Sequence, residues 1–358
     1  MAGDCRVRQI RIGIPANYEK QLYMNERTFR LGIIGFGGMG TMHAEQIGYL
    51  ENAVVAGIVE PVAVNRKKAE KFFSGQDVMF FDDVEAALQG VQVDGWIVTS
   101  NTNTHISITR QLLEKGCTVL LEKPIASTLV EAEELRTLVK PDSSNLMMGH
   151  ILLWNKEFQR LKAEAIKLGK INAMSCSRQR SANHRTRYPD ESPFALIMVH
   201  DLYTVHSLVE AQEPETFSAQ QRKHDQGGVD LAQSQIGWAD DTYASLVANY
   251  LIPDDIPGGG NIDELTVAGQ SWHMRLIYDS GVIQIATKGH VEQVMVDPPK
   301  RVGATNYFDD ALRSEIEHFL LLIAGVASVP VGARYQDACQ IQGWIGNFIS
   351  LTQHEGAK

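Results

Sequence analysis

Lys123 is the residue of this chain that is best placed to do chemistry. It lies in the tripeptide Glu122-Lys123-Pro124, directly after the short apolar run Thr118-Val119-Leu120-Leu121, which is typical of a buried strand. Open α/β sheets bind their ligands at the carboxyl ends of such strands. Pro124 disfavours the helical conformation for the residue before it, so we expect Lys123 in a stiff, extended turn. Because a charge at the end of an apolar strand is costly without a partner or a task, we interpret Lys123 as functional.

A glycine-rich turn lies well upstream of this lysine. Gly35, Gly37 and Gly40 form the pattern GxGxxG between an apolar strand and a helix-like segment. Such glycines allow a tight turn, close approach to a pyrophosphate and close contact between helix and strand. The amino end of the following helix offers unpaired amides and a partial positive charge to phosphates. The residues predicted to contact a dinucleotide here are Gly35, Phe36, Gly37, Gly38, Met39 and Gly40.

Glu60 is the residue expected to distinguish between the two nicotinamide dinucleotides. It comes twenty residues after Gly40 and ends the second apolar strand, where its carboxylate can accept hydrogen bonds from an adenosine ribose. A 2′-phosphate would meet that negative charge, which favours NAD over NADP. Arg66, Lys67 and Lys68 follow soon after and offer the alternative, a site for a 2′-phosphate. The interpretation that we prefer makes these three residues the solvated face of a helix.

The elements that must position these residues alternate between strand and helix. Strands that alternate with helices of about ten or more residues predict a parallel, doubly wound sheet. Gly116, after one of the helical patterns, is a typical helix stop. The predicted strands are 31–34, 54–59, 96–99, 119–121 and 146–149, and the predicted helices end at Leu50 or span 62–73, 104–115 and 127–138.

The pattern changes after His150. A helix is predicted over 158–168, and longer β-type runs separated by glycine-containing turns follow, at 171–177, 243–251, 264–267, 274–278 and 282–286. Two helices, at 309–325 and 335–353, close the chain. We therefore predict an α/β protein with three parts: an N-terminal extension (1–27), a dinucleotide-binding Rossmann domain (28–150), and an α/β substrate-binding and oligomerisation domain (151–358) with a large, mostly antiparallel open sheet.

Composition and charge exclude several classes of function. The net charge of −10 and a pI near 5.6 argue against binding to nucleic acid or to an anionic membrane surface. No apolar stretch reaches the roughly 18 residues of a membrane span, and the first 27 residues contain no apolar signal-peptide core. The cysteines show neither a CxxC pair nor metal-ligand spacing, which predicts a cytoplasmic protein with reduced thiols and no metal site.

Several motifs together resemble the glucose–fructose oxidoreductase / inositol dehydrogenase / MocA family. They are the glycine fingerprint, the segment Ser100-Asn101-Thr102-Asn103-Thr104-His105, Glu122-Lys123-Pro124 and Gly149-His150, and the likeness extends from residue 28 to residue 355. The resemblance implies an NAD(P)-dependent oxidoreductase of sugars or cyclitols, and a homodimer or homotetramer joined through the second-domain sheet. It adds to the predicted cofactor contacts Ser100, Asn101, His105, Glu122 and Lys123.

The resemblance also implies catalytic roles. Lys123 would lie beside the nicotinamide and hydrogen-bond the reacting hydroxyl, where an ammonium stabilises a developing alkoxide. The family's aspartate, four residues before a histidine, corresponds here to Leu196 before His200, so the acid is missing. Histidine is suited to exchange a proton with a hydroxyl near neutral pH, and Tyr203 is the alternative proton-transfer group. Helical spacing places Leu196, His200, Tyr203 and Ser207 near one helix face.

A basic cluster and two tryptophans are weaker candidates for substrate contact. The cluster could bind a carboxylate or phosphate, or it could be a solvated loop or a subunit contact. Its members are Arg178, Arg180, His184, Arg185 and Arg187. Trp154 and Trp272 could stack on a sugar ring, although burial in the core is the usual fate of tryptophan. We interpret His206 as structural.

The predicted activity is hydride transfer between nicotinamide C4 and a carbinol carbon of a sugar, glycoside or cyclitol. Lys123 would hold the substrate oxygen, and His200 or Tyr203 would move the proton, while the cofactor carries the redox chemistry. Two alternatives stay open. One is a non-catalytic sensor that binds dinucleotide and a sugar-like ligand, which the missing acid at Leu196 favours. The other is a redox-assisted glycoside-processing enzyme that retains its NAD throughout each cycle.

Overall fold

The first half of the chain forms a parallel sheet of six strands. They are β1 (Phe29–Ile34), β2 (Ala53–Val59), β3 (Met79–Phe81), β4 (Gly95–Val98), β5 (Val119–Glu122) and β6 (Leu146–Gly149). In the computed structural model, which describes residues 27–187, 192–224, 228–256, 261–297, 303 and 307–354, their order is β3-β2-β1-β4-β5-β6. Every pairing in this sheet is parallel, which confirms the predicted doubly wound Rossmann sheet.

The loops after the strands gather the predicted site at one edge of this sheet. Because all strands run in the same direction, their carboxyl ends meet at that edge, and it receives the glycine turn, Glu60, the segment 100–105 and the turn 122–124. The central strands are buried throughout because helices cover a parallel sheet on both faces. The helices of this half are α1 (Gly38–Ile47), α2 (Ala63–Phe72), α3 (Val84–Gly90), α4 (Thr102–Glu114) and α5 (Leu129–Glu133).

The second half builds an eight-stranded sheet. Its strands are β7 (Ala173–Ser181), β8 (Thr216–Lys223), β9 (Val229–Gly237), β10 (Tyr243–Ile252), β11 (Ile262–Ala268), β12 (Trp272–Ile277), β13 (Val282–Thr287) and β14 (His290–Met295). The order is β14-β13-β12-β11-β7-β10-β9-β8, and only the β7–β10 pairing is parallel. The sheet is mostly antiparallel, as predicted, and burial alternates along β7, β10 and β12, so it has one core face and one outer face.

Helices of the second half cover the core face and connect the two sheets. The short 3-10 turn Ile151–Trp154 leads into α6 (Lys156–Leu168), and α7 (Ala182–Arg187), α8 (Pro193–Leu196) and α9 (Val199–Leu208) follow β7. The last helices are α10 (Tyr307–Ile323) and α11 (Tyr335–His354). Arg313 of α10 donates to the Gln46 side chain of α1 at 2.7 Å, and Met148 N donates to Ala333 O at 2.8 Å. The C-terminal segment therefore packs against the nucleotide-binding half.

Some elements differ from the prediction. The helix predicted over 127–138 is regular only in Leu129–Glu133 and continues as turns. The strands β3, β8, β9 and β14 were not predicted. Strand β8, for example, fully buries only Ala219 and is polar apart from the half-buried Phe217, so its sequence does not show an alternating pattern. The predicted extension 1–27 lies, except for Arg27, outside the described residues. No helix among those described is both long and apolar enough to cross a membrane.

Candidate active site

The glycine turn has the geometry of a phosphate-binding loop. Gly35 has a φ of 92°, in the left-handed region that favours glycine. A Cβ on Gly40 would stand 2.1 Å from the Gly35 carbonyl oxygen, so only glycine allows α1 to approach β1 this closely. No side chain caps the amino end of α1, and its first turn contains no acidic residue. This helix end is therefore suited to an anion.

Glu60 supports the same turn from the end of β2. Its carboxylate is buried and accepts hydrogen bonds from Phe36 N at 2.7 Å and from Val62 N at 2.8 Å. Arg66 pairs with Asp82, whereas Lys68 donates at 2.9 Å to the Thr41 hydroxyl in the first turn of α1. A carboxylate rather than an arginine thus lies against the glycine turn.

His105 connects the two remaining cofactor motifs. Its imidazole is buried in α4, with Nδ1 2.8 Å from Pro124 O and Nε2 3.0 Å from Ser100 O. Burial lowers the pKa of His105, although both carbonyls oppose that shift. Asn101 is exposed at the start of α4. The Lys123–Pro124 peptide bond is cis. His105 therefore fixes the segment 100–105 against the turn that carries Lys123, and it has no exposed edge for a ligand.

Lys123 is held by a backbone carbonyl. Its half-buried ammonium donates to Leu196 O at 3.1 Å. That oxygen is available because the helix predicted through this segment is broken. Leu196 ends α8, and His200 N donates to Ile197 O instead of continuing the α-helical pattern to Leu196. The prediction that Leu196 and His200 share one helix face is therefore wrong, since the two residues belong to different helices.

A buried acid cluster lies behind Lys123. His43 Nε2 contacts Glu122 Oε1 at 2.8 Å, and one ligand atom each of His43, Glu122 and Glu315 lies within 4.8 Å of the others. Burial, together with the Glu122 carboxylate, raises the pKa of Glu315 well above its usual value. These are atoms that can bind a metal ion, but His43 Nδ1 has no hydrogen-bond partner, whereas metal-bound histidines usually have one. We interpret the cluster as a buried Glu315 carboxyl that keeps its proton beside the side chains of Glu122 and His43.

His200 faces Lys123 and is backed by aromatic residues. His200 Nδ1 lies 2.7 Å from the Tyr203 hydroxyl, which also accepts from Leu152 N at 3.2 Å. The Tyr203 ring stacks on His150, with centroids 4.4 Å apart. Tyr203 is 0% exposed, and burial raises its pKa well above the usual value. Tyr203 therefore lies behind His200 and does not itself face a substrate.

Burial and neighbouring cations keep His200 neutral. Desolvation lowers the pKa of His200 well below its usual value, and Lys123, Arg178 and Arg180 lower it further. The effect of His150 is smaller, and this residue is itself neutral because burial lowers its pKa to about 4. A neutral imidazole beside an ammonium can donate or accept a hydrogen bond, but it does not add a second positive charge to the site.

Arg178 is committed to buried ion pairs. Its Nε and Nη2 atoms donate to both Asp201 oxygens, at 3.0 and 2.8 Å, and Nη1 lies 2.9 Å from Asp263. Burial opposes the charge, but Asp201 and Asp263 outweigh it and hold the pKa of Arg178 well above its usual value. Arg180 also binds Asp263, at 2.6 and 3.0 Å. These ion pairs therefore anchor α9 to β7 and β7 to β11.

The other candidates contact separate parts of the chain. Trp154 packs against α10, with its ring 4.5 Å from that of His318. Arg185 lies beside Gly228 at the start of β9. His206 is buried and contacts the Gln340 side chain at 2.5 Å, which fits its structural interpretation. The sequence offered no local signal for His43, Asp201 or Glu315, because their partners come from distant parts of the chain.

Comparisons with known proteins agree with this geometry. Residues 29–150 match the family described as "Oxidoreductase family, NAD-binding Rossmann fold". The rhizopine catabolism protein MocA of Rhizobium meliloti is 25% identical over 41% of this chain, and the match spans 46% of that relative. The UDP-N-acetylglucosamine 3-dehydrogenase of Acidithiobacillus ferrooxidans is 25% identical over 82% of this chain and 88% of its own length.

Solved structures show the same fold. The structure of that Acidithiobacillus enzyme has a TM-score of 0.77, at 20% identity, and covers 91% of this chain and 98% of its own. Scyllo-inositol dehydrogenase from Lactobacillus casei, solved with NAD(H) and scyllo-inositol, has a TM-score of 0.75 at 18% identity, with 92% and 98% covered. Together with the motifs at the edge of the parallel sheet, these matches show that residues 29–150 belong to the oxidoreductase family with an NAD-binding Rossmann fold, and that the chain shares the fold of these two dehydrogenases.

Proposed function

We propose that this protein is an NAD-dependent oxidoreductase that transfers a hydride between nicotinamide and a carbinol carbon of a sugar, glycoside or cyclitol. The observation that carries the proposal is the bond from Lys123 Nζ to Leu196 O, which fixes an ammonium beside His200 at the ligand-binding edge of the parallel sheet. Membership of the family and the uncapped glycine turn support it.

The residues at this edge fit a dinucleotide. The glycine turn leaves space where a pyrophosphate would lie, since a Cβ on Gly37 or Gly38 would contact nothing within 4 Å. The Glu60 carboxylate supports NAD as the cofactor, because a 2′-phosphate near it would be repelled. NADH should therefore bind more tightly than NADPH in a fluorescence titration. The reverse order would contradict the assignment of Glu60.

The chain's own residues supply placement and charge. When bound, the dinucleotide supplies the carbon that accepts or donates the hydride. Lys123 Nζ donates a hydrogen bond to the substrate oxygen and stabilises negative charge that develops there. His200 offers Nε2 to the same oxygen. Tyr203 is too deeply buried to replace either of them, so Lys123 and His200 are the groups assigned to the substrate.

The charge balance of the site supports neutral substrates. Arg178 and Arg180 are occupied by Asp201 and Asp263, so they do not offer a clamp for a carboxylate or phosphate. The related enzymes act, by their names, on a UDP-linked sugar and on inositols. We therefore expect sugars and cyclitols with a neutral reacting ring to be better substrates than uronic acids.

An absorbance screen for NADH tests this function. Sugars, cyclitols, uronic acids and glycosides are offered to the wild type, to Lys123→Ala and to a matched control, Lys288→Ala, which removes an exposed lysine in the second half of the chain. Lys123→Ala should abolish turnover and leave NADH affinity within about threefold, since the ammonium acts on the substrate oxygen. Full activity of Lys123→Ala would refute its role. Tight NADH binding without turnover of any compound would favour a sensor instead.

We also propose that the outer face of the second sheet joins subunits in a homodimer or homotetramer. On β7, β10 and β9 this face exposes the short side chains of Ser175 and Ser245, the amides of Gln233 and Gln235, and the ring of Tyr243. Short side chains allow two such sheets to approach each other closely, and Tyr243 provides apolar area.

A further inference from the structure

The hydroxyl of Tyr203 determines which nitrogen of His200 carries the proton. A tyrosine hydroxyl has one hydrogen to donate and accepts through its oxygen. Leu152 N–H already donates to that oxygen at 3.2 Å, and His200 Nδ1 lies 2.7 Å away. Among the described residues no other group meets the Tyr203 hydroxyl. The hydroxyl hydrogen therefore has one acceptor within reach, which is His200 Nδ1.

The opposite arrangement is costly. If Nδ1 carried the proton of neutral His200, the Tyr203 oxygen would accept two hydrogen bonds, and its own hydrogen would be buried without an acceptor. Leaving a buried donor unsatisfied costs about 1–3 kcal/mol. At about 1.4 kcal/mol for each factor of ten, the tautomer with the proton on Nε2 is favoured by about tenfold or more. Nδ1 then accepts from Tyr203, and Nε2–H points away from it.

We propose that His200 is a neutral hydrogen-bond donor to the substrate oxygen, that Tyr203 is the positioning residue that fixes this tautomer, and that Lys123 Nζ carries the proton. The proposal rests on the oxidoreductase function above. An Nε2 that already bears hydrogen cannot accept the proton of a substrate hydroxyl. Nor can His200 readily release its proton, because replacement from Tyr203 would leave a buried tyrosinate.

The hydride step then balances with Lys123 as its proton acceptor. In oxidation the substrate C–H bond breaks, and its electron pair leaves with the hydrogen to nicotinamide C4 of NAD⁺. The O–H bond breaks as the C=O bond forms, and that proton passes to Lys123 Nζ, whose ammonium has first released one of its own protons to solvent. His200 Nε2–H stays hydrogen-bonded to the same oxygen throughout. In reduction, the Lys123 ammonium returns the proton to the developing alkoxide.

The environment of His200 agrees with this assignment from every side. Lys123 lies on the β5 turn and Arg178 and Arg180 on β7, and these three cations oppose a positive charge on the imidazole, whereas His150, after β6, is itself neutral. Asp201, the next residue in α9, is bound to Arg178 through both oxygens and does not reach the ring. Leu196 has no oxygen on its side chain to accept a hydrogen from Nδ1.

Nitrogen-15 NMR of histidine-labelled protein tests the tautomer without any substrate. His200→Gln removes one signal pair from the spectrum and so assigns it. Near neutral pH, we expect His200 Nδ1 to show the shift of an unprotonated nitrogen and Nε2 that of a protonated one. In Tyr203→Phe, checked for folding by its thermal midpoint, the Nδ1–H form should gain population. A wild-type Nδ1 that bears the proton would overturn the proposal.

Kinetics supply a second test. His200→Gln keeps an N–H donor of similar reach, whereas His200→Leu removes it. If His200 only donates, the glutamine variant should keep its rate within about tenfold, and the leucine variant should lose about 10²- to 10³-fold, as for loss of one oxyanion donor. Equal loss in both variants would show that His200 moves the proton and would overturn the proposal. Absence of turnover in the wild type would count against the proposed function, while the NMR result would still decide the tautomer.

Discussion

Replacing Glu315 by glutamine should make the protein more stable, and increasingly so as the pH rises. Glu315 is 0% exposed in α10, and neither of its carboxylate oxygens makes a hydrogen bond of normal geometry with a described residue. Burial and the Glu122 carboxylate raise the pKa of Glu315 in the folded state well above its usual value. The unfolded chain releases this proton near a pH of about 4.3, whereas the folded protein retains it.

The sign and size of the effect follow from proton linkage. A carboxyl with a raised folded-state pKa contributes stability that is fully present below its unfolded pKa and is lost as the pH rises towards the folded pKa. In that window the wild type loses about 1.4 kcal/mol of unfolding free energy per pH unit. Glu315→Gln has no such proton. Its advantage over the wild type should therefore grow by about 1.4 kcal/mol per pH unit above a pH of about 4.3, until the folded carboxyl itself ionises.

Urea unfolding at several pH values between about 5 and 8 measures this difference. Glu45→Gln is the control, because Glu45 is exposed on the neighbouring helix α1 and its replacement changes the net charge equally. A difference between Glu315→Gln and wild type that does not change with pH would refute a retained proton. So would a stoichiometric metal ion in the purified protein, found by elemental analysis and lost in Glu315→Gln. That result would mean that His43, Glu122 and Glu315 bind a cation.

Three further outcomes are expected. Arg178→Met leaves Asp201 buried without its partner and should lower the unfolding free energy by about 3–5 kcal/mol, measured in urea. Gly40→Ala places a Cβ 2.1 Å from Gly35 O; relieving that overlap costs about 1–3 kcal/mol, which should weaken NADH binding about ten- to hundredfold in a fluorescence titration. Ser245→Arg puts a charge on the outer sheet face and should reduce the mass found by light scattering, whereas an unchanged mass would place the subunit contact elsewhere.

The parallel sheet could be predicted from the sequence because its central strands are continuous apolar runs. Strands β4 and β5 are buried along their whole length, so their sequences are almost entirely apolar. The second sheet was predicted only where its inner residues are large and apolar. In β9 the outward residues Gln233 and Gln235 alternate with the inward residues Ala232 and Ser234. Because the inward residues are small or polar, the sequence does not show an alternation of apolar and polar residues.

The sequence could predict those parts of the candidate site in which the functional residues lie in one short segment. The glycine turn, Glu60 and the turn of Lys123 each lie directly after a strand, so topology brings them to one edge without further information. The cluster of His43, Glu122 and Glu315 gave no such signal. Its members come from α1, β5 and α10, and only the docking of α10 onto the nucleotide-binding half brings them together.

Leu196 shows why side-chain identity alone was an incomplete guide to this site. The missing acid suggested a weakened catalytic centre, but the break between α8 and α9 turns the backbone of Leu196 towards Lys123, and its carbonyl holds the ammonium. The other task of an acid, to set the tautomer of His200, falls to the hydroxyl of Tyr203 at 2.7 Å. An aspartate would accept a hydrogen from Nδ1 and leave Nε2 as a base, whereas Tyr203 donates to Nδ1 and leaves Nε2 as a donor. With the tautomer that we propose, this departure from the family pattern changes which residue moves the proton and places that step on Lys123.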